Sequence, residues 1–216
     1  MEAREIIARR VARELKEGNV VNLGIGLPTM VPQFIPEGVN IVLQSENGFL
    51  GLGPLEGEAI PGVVNAGGID CGLVPGAAMF DSATSFALIR GGHVDVTVLG
   101  GLEVDQQGNL ANWMVPGKMV PGMGGAMDLV SGARRVIVAM EHCTREGGAR
   151  ILRHCRLPLT ARACVSLVVT ELAVFSIENG RLTLAEIAPG STVDGVARNT
   201  EADFDIFSGL CLMSLD

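Results

Sequence analysis

The chain has no tyrosine, a single tryptophan and seven phenylalanines in 216 residues. A core of this size must then come from Val, Leu, Ile and Ala packed against glycine-rich turns. Positive charge is also short: the formal net charge is −8. That argues against nucleic acid as the main partner, because phosphate binding wants a basic patch. The dense basic run, Arg9-Arg10 to Arg13, is interleaved with Glu5, Glu14 and Glu17. The five cysteines are an odd number and form no C-x-x-C. This argues against a disulfide scaffold or a zinc site, and for reduced thiols in the cytoplasm. No apolar run reaches a membrane-spanning length; the longest, Val165 to Ile177, is cut by Glu171. The N-terminus reads as a charged helix, so no signal peptide and no membrane partner are expected.

What is present is glycine, 29 residues, in a chain that is 48% apolar. The length suits one domain, residues 1–216, with no linker, repeat or low-complexity stretch dividing it. Ile7, Val11 and Leu15 fall at helical spacing and predict a helix over residues 2–17, stopped by Gly18. Strands are expected at Asn19–Leu23, Val39–Leu43, Val94–Leu99, Arg134–Met140, Val165–Thr170, Leu172–Ile177 and Leu182–Ile187. A helix is expected over Met79–Arg90, with Asp81 and Ser82 as capping or first-turn residues. Val104 to Leu110 reads as a hairpin tip, and Glu178-Asn179-Gly180-Arg181 as a hairpin turn. The stretch after Thr192 reads as a short helix and an acidic tail. The expected fold is α/β: a mostly parallel open sheet flanked by helices, with an antiparallel edge.

The chain is organised around Gln44-Ser45-Glu46-Asn47-Gly48-Phe49-Leu50-Gly51-Leu52-Gly53-Pro54. A strand delivers one carboxylate, Glu46, to its carboxyl end, where open α/β sheets bind ligands. Asn47-Gly48 marks a tight turn. Gly51 and Gly53 are expected to keep a following loop clear of bulky side chains, so that a ligand can approach the backbone. From the residues alone, a solvated turn glutamate is the competing reading.

Other stretches also offer backbone to a ligand. Asn22-Leu23-Gly24-Ile25-Gly26 followed by a short helix to about Phe34 is a phosphate-binding arrangement in principle. A dinucleotide site is its rival, since Glu46 lies about where such a fold puts its ribose-binding acid. Against that, Thr29 replaces the third glycine of the fingerprint. Asn65-Ala66-Gly67-Gly68 sits in a long turn-rich stretch, Pro54 to Pro75. Lys118 to Asp128 carries Gly122, Gly124 and Gly125 before an apparent helix, Ala126 to Val130, whose N–H groups suit an oxyanion hole; close helix–sheet packing is the alternative. His142 and Cys143 are adjacent at a strand end and point to opposite faces, so they do not read as a pair. His93, His154 and Trp113 read as surface or core residues.

Four of these segments carry a family resemblance. Ser45-Glu46-Asn47-Gly48 with Gly51-x-Gly53-Pro54, Asn22-Leu23-Gly24-Ile25-Gly26-Leu27-Pro28-Thr29, Pro75-Gly76-Ala77-Ala78-Met79-Phe80-Asp81-Ser82, and Gly117 to Leu129 occur in the order seen in the β subunits of family I 3-oxoacid coenzyme A transferases. The chain resembles that family over roughly residues 1–190. The likeness is strongest to bacterial acetate or butyrate–acetoacetate transferase β subunits.

The resemblance implies a CoA-transferase/sugar isomerase-like fold and a reaction carried by Glu46. Glu46 would attack an acyl-CoA and become a glutamyl-CoA thioester, with N–H groups near Gly124, Gly125 and Ala126 holding the oxyanion. Asn22, Gly24, Gly26, Asn47, Gly48, Gly51 and Gly53 would form the substrate and CoA loops. It implies no metal and no cofactor, coenzyme A being a substrate. It also implies an α subunit, in an α2β2 assembly in the cytoplasm. The acid that donates CoA and the acid that accepts it are not legible. A sugar-phosphate isomerase-like enzyme, using the carboxylate to shuttle a proton, and a non-catalytic ligand-binding subunit are the other readings.

Overall fold

The computed structural model describes residues 1–65, 67–117, 122 and 124–215. Ala66, Lys118–Pro121 and Met123, parts of two glycine-rich segments singled out above, lie outside the described residues. The helices are α1 (Ala3–Ala12), α2 (Ser82–Arg90), α3 (Ala126–Gly132) and α4 (Val193–Asn199), with a 3-10 segment at Leu27–Phe34. The strands are β1 (Val20–Leu23), β2 (Val42–Ser45), β3 (Phe49–Gly53), β4 (Gly72–Met79), β5 (Val96–Leu99), β6 (Glu103–Asp105) and β7 (Leu110–Ala111). They continue with β8 (Arg135–Ala139), β9 (Ile151–Leu152), β10 (Leu167–Val169), β11 (Ala173–Glu178), β12 (Arg181–Ile187) and β13 (Asp205–Leu212).

Ten strands form one sheet in the order β13-β12-β11-β10-β8-β5-β1-β2-β3-β4, and β7-β6-β9 form a small second sheet. The adjacent strands β10, β8, β5, β1 and β2 are all parallel. Antiparallel pairs extend this block on both sides, through β3 and β4 at one end and β11 and β12 at the other. The expected α/β architecture is present, with antiparallel strands on two flanks instead of one. Sequence dictates this division. Strands buried on both faces read as unbroken apolar runs, and β8 is Arg-Val-Ile-Val-Ala with its last four residues buried. Its side chains alternate between two cores. Val136 and Val138 pack with Ile89, Leu129 and Val196 from α2, α3 and α4. Ile137 and Ala139 pack with Ile7, Ala8 and Val11 from α1.

Three of the boundaries that differ from the sequence reading have a visible cause. Helix α1 ends at Ala12, where the chain tightens into i→i+3 bonds, Glu14 to Val11 and Leu15 to Ala12. The strand before Glu46 starts at Val42 because a turn closed by Val39 N–H on the Pro36 carbonyl keeps residues 39–41 out of the ladder. The second helix begins at Ser82, since Asp81 accepts the Thr84 N–H at 2.7 Å and caps it. Met79, expected as the first residue of that helix, instead ends β4.

Two segments read as irregular are strands. Pro75-Gly76 sits inside β4, an edge strand, where the missing proline N–H faces no neighbour and the register against β3 shifts. The acidic tail becomes β13, parallel to β12 and anchored by Arg181 to Asp205. Glu201, Asp203 and Asp205 make the stretch acidic, but Asp205 and Ile206, then Cys211 and Leu212 after a register shift, pair with β12.

Candidate active site

Strand β2 ends at Ser45, and Glu46-Asn47-Gly48 turn the chain straight back into β3, with Ser45 and Phe49 as register partners. The turn closes through Gly48 N–H on the Ser45 carbonyl at 3.0 Å. Gly48 has φ +112°, and a Cβ there would stand 2.1 Å from the Phe80 carbonyl oxygen. Only glycine fits such a position, so the turn is locked between β2 and the approach to α2. Glu46 is left half-buried just beyond the parallel block.

The carboxylate has partners from two other elements. Asn22, buried on β1 beside Gln44, donates its side-chain N–H to Glu46 Oε2 at 3.1 Å and to Gln44 Oε1 at 2.9 Å. Gln44 Nε2 donates to Ser85 Oγ at 3.0 Å, and Ser85 Oγ donates to the Ser45 carbonyl at 3.2 Å. Gln44 and Ser85 are both buried. From the other side, the N-cap of α3 closes in. A Cβ on Gly125 would lie 3.3 Å from Glu46 Cγ and 3.4 Å from the Phe86 ring. The structure therefore brings Glu46, Asn22, Gly48 and Gly125 together.

The other expected site residues are more dispersed. Gly124 is exposed and open, and Ala126 is half-buried at the start of α3. Gly24 donates its N–H to the Val98 carbonyl at 2.8 Å, which ties the loop after β1 to β5. Gly26 accepts from Thr29 and is exposed. The segment after it is 3-10 with Pro32 inside, so no α-helix N-terminus faces the Gly-x-Gly loop. Asn47 is exposed and donates to the Val64 carbonyl at 2.8 Å, pinning the turn to the long loop. Gly51 and Gly53 are not in a loop at all. They lie in β3, where β4 crosses closely: a Cβ on Gly51 would meet Ala77 at 3.0 Å and one on Gly53 would meet Val74 at 2.9 Å. The Val74 side chain and Ala77 take up the space a Cβ would need at these two positions, and Gly53 also lines the cavity beside β2 and β3.

Sequence reasoning missed Gln44 and Ser85, which continue the hydrogen-bond chain beyond Asn22, and Phe86, which faces Gly125 as Glu46 does. Gln44 was within reach of it, because a residue two before Glu46 on a strand shares its face. Ser85 carries no local signal, since only the packing of α2 on the sheet places it. Leu23, Leu43, Gln44 and Ser45 line a cavity of about 490 Å³ together with Ile25, Leu52 and Cys71. His142 lies elsewhere, fully buried between the Thr170 and Thr200 hydroxyls at 2.9 Å each, and burial holds its pKa down at about 4. Trp113 donates to the Leu159 carbonyl at 3.3 Å. Among the described residues no cluster of His, Cys, Asp and Glu is arranged to hold a metal ion, and no helix is long and apolar enough to cross a membrane.

Comparison with known proteins gives this geometry a context. A family model described as "Coenzyme A transferase" matches residues 4–199. The chain is 63% identical over 210 residues to the beta subunit of acetate CoA-transferase from Escherichia coli (strain K12), covering 97% of each. It is 54% identical over 207 residues to the B subunit of a probable succinyl-CoA:3-ketoacid coenzyme A transferase from Bacillus subtilis (strain 168), covering 95% of this chain and 96% of that one. Its fold is similar to the crystal structure of an acyl-CoA transferase apoenzyme from Escherichia coli O157:H7, with a TM-score of 0.81 and 24% identity. That alignment takes in 99% of this chain and 44% of the other, and at such identity it speaks for the fold alone.

Proposed function

The chain belongs to the coenzyme A transferase family, and from that premise we propose that it is the β subunit of an enzyme that moves CoA between a short-chain acyl-CoA and a 3-oxo acid of the acetoacetate type, through a covalent glutamyl-CoA thioester on Glu46. The observation that carries this reading is the setting of Glu46. Its carboxylate is half-buried at the end of a parallel strand, held by the Asn22 amide and faced by the N-cap of α3 at Gly125.

A carboxylate makes a useful nucleophile when the substrate is an activated acyl donor, and a thioester is one. In the proposed first step a Glu46 oxygen bonds to the thioester carbonyl carbon and the C–S bond breaks. This gives a mixed anhydride and CoA thiolate. The thiolate then attacks the glutamyl carbonyl of the anhydride, which expels the first acid as its carboxylate and leaves the glutamyl-CoA thioester. A second carboxylate attacks that thioester, and the same two steps run in reverse to release a new acyl-CoA and free Glu46. No net oxidation occurs and each leaving group is either the next nucleophile or a released product, so these steps call for no metal or redox cofactor. Coenzyme A is a substrate.

Backbone N–H groups of Gly124, Gly125 and Ala126 are assigned to the oxyanion, supported by the approach of Gly125 to Glu46 Cγ. Water must be excluded, or the thioester would hydrolyse. Binding energy from the long CoA body offsets the cost of the anhydride step. The relatives are named as beta and B subunits, which supports an α subunit as partner in a cytoplasmic α2β2 assembly. Their names also differ in the acid, acetate in one and succinate with a 3-keto acid in the other, which leaves the choice of acids to one or two side chains.

Adduct trapping tests the reading. The chain, copurified with its α subunit, is given acetoacetyl-CoA and quenched with borohydride, and its peptides are mapped by mass. Reduction of the Glu46 side chain that depends on acyl-CoA, and that Glu46→Gln abolishes, is the expected result. A fully assembled preparation that turns over substrate with Glu46 unmodified would remove the covalent mechanism.

A further inference from the structure

Glu46 is joined to helix α2 by a chain of buried amides and a hydroxyl whose donor–acceptor sense has one consistent solution. The Ser45 carbonyl can only accept, so Ser85 must turn its O–H towards it. Ser85 Oγ then has a lone pair for Gln44 and no proton, which makes Nε2 the end of the Gln44 amide that faces it. Gln44 Oε1 is thereby aimed at Asn22 and must receive an N–H. The Asn22 NH2 group fills that demand with one hydrogen and gives the other to Glu46 Oε2, with the Gln44 carbonyl at 3.4 Å as a longer third acceptor. If Asn22 flipped, its Oδ1 would stand against two acceptors. In the observed sense Oδ1 is instead one of the buried atoms left without a partner, as Ser45 Oγ also is.

We propose that Ser85 and Gln44 are positioning residues for the transferase reaction: they fix the polarity of this chain, so that Asn22 always presents an N–H, never an oxygen, to the Glu46 carboxylate. This rests on the reading of Glu46 as the nucleophile. A donor on Oε2 leaves Oε1 as the oxygen that attacks and keeps the carboxylate from rotating. Buried polar chains of this kind act as a unit, because each member has no water to turn to. The loss of the Ser85 hydroxyl lets the Gln44 amide rotate and present Nε2 to Asn22. Asn22 then gains by turning its Oδ1 inward, which withdraws the N–H from Glu46.

The test measures the single-turnover rate at which the assembled enzyme forms the borohydride-trapped Glu46 adduct, as a function of acyl-CoA concentration. Ser85→Ala is expected to lower the limiting rate about tenfold, the scale of one hydrogen bond to a charged group, with the half-saturating concentration unchanged. Ser85→Thr, which keeps the hydroxyl, is expected to recover most of the rate. In an Asn22→Ala background Ser85→Ala should cause no further loss, since its effect passes through the Asn22 amide. Gln44→Met removes the relay from the sheet side and should show the same loss and the same dependence on Asn22. Full activity in Ser85→Ala, or an equal loss whether or not Asn22 is present, overturns the proposal. So does failure of both Ser85→Ala and Gln44→Met to assemble, which would assign the two residues to the fold. Failure of the underlying reading looks different: the unaltered enzyme turns over with no adduct on Glu46.

Discussion

Asn22 and Gln44 are register partners on adjacent parallel strands, and the amide of the first feeds the amide of the second at 2.9 Å. Side chains at such positions on neighbouring strands share one face of the sheet, and in the middle of a parallel sheet that face is dry. A pair of amides there costs stability unless every hydrogen finds an acceptor. Here one acceptor is the carboxylate of Glu46. The sheet thus holds a polar pair in its interior at the point where a carboxylate leaves the strand.

Asn22→Ala is expected to slow the transferase about tenfold or more, by removing the N–H from Glu46, and to cost about 1–3 kcal/mol of stability, because Gln44 Oε1 is left buried and unpaired. Steady-state rates with the α subunit present and urea unfolding of the same preparations check both. A rate loss with no loss of stability would mean that Gln44 finds another donor; stability loss with unchanged rate would remove Asn22 from the site.

Gly48 and Gly125 separate turn geometry from active-site space. A Cβ at Gly48 meets a backbone oxygen at 2.1 Å with φ at +112°, so Gly48→Ala is expected to destabilise the chain by about 3 kcal/mol or more. Gly125 has φ −83°, which alanine accepts, and its new neighbour would be the Glu46 side chain at 3.3 Å. Gly125→Ala should therefore fold within about 1 kcal/mol of the original. Displacement of Glu46, the nucleophile proposed above, should still lower its rate about a hundredfold, the scale set by misplacing a reacting group. Thermal melting and turnover, measured side by side, distinguish the two variants.

The contrast between these glycines shows what sequence makes legible. The strand-to-turn passage at Glu46-Asn47-Gly48 is written locally, in residues that accept positive φ, and it stands where it was expected. The Asn179-Gly180 hairpin, with φ +51° and +71°, is legible for the same reason. Gly51 and Gly53 look the same in sequence and lie within a strand instead of a loop, because the strand that pairs with theirs comes from about twenty residues further on. Ser85 is the sharper case. Nothing within α2 distinguishes it from Ser82, and only tertiary packing sets it under Gln44. Local chemistry is readable from spacing, while the support around it depends on contacts distant in sequence.

The α1 face carries an ion-pair network that sequence read merely as interleaved charge. Arg10 bonds Glu186 with two nitrogens and Glu14 with a third, each at 2.6 Å, and Arg135 reaches Glu14 at 2.6 Å as well. Burial opposes the Arg10 charge, but Glu186 and Glu14 outweigh it and hold its pKa up. Burial likewise opposes the Glu14 charge, and Arg10 and Arg135 outweigh it and hold that pKa down. Arg10→Met is expected to cost about 3 kcal/mol, since it strands carboxylates at a partly buried site. Arg10→Met combined with Glu186→Met should recover at least half of that, because the unpaired charge goes too. Urea midpoints at neutral pH decide; equal losses in the single and double variants would mean that Arg10 contributes packing alone.

His142 gives the stability a pH dependence with a definite sign. Its ring is fully buried, and burial lowers its pKa from 6.5 to about 4. Above pH 6.5 the imidazole is neutral in both folded and unfolded chains and contributes no slope. As the pH falls from 6.5 towards 4, the unfolded chain binds a proton that the folded chain refuses, so stability declines through that window and levels off below it. The gap amounts to about 3 kcal/mol at its full extent. Unfolding midpoints taken from pH 7 to pH 4.5 should show this decline. In His142→Gln, whose amide can still reach one threonine hydroxyl, the part of the slope due to this residue should vanish. Carboxylates such as Glu14, whose pKa is depressed from 4.5, begin to lose their contribution only as the pH nears that value, so the decline between pH 6.5 and 5 isolates the histidine. A decline between pH 6.5 and 5 that persists undiminished in His142→Gln would place the titrating group elsewhere.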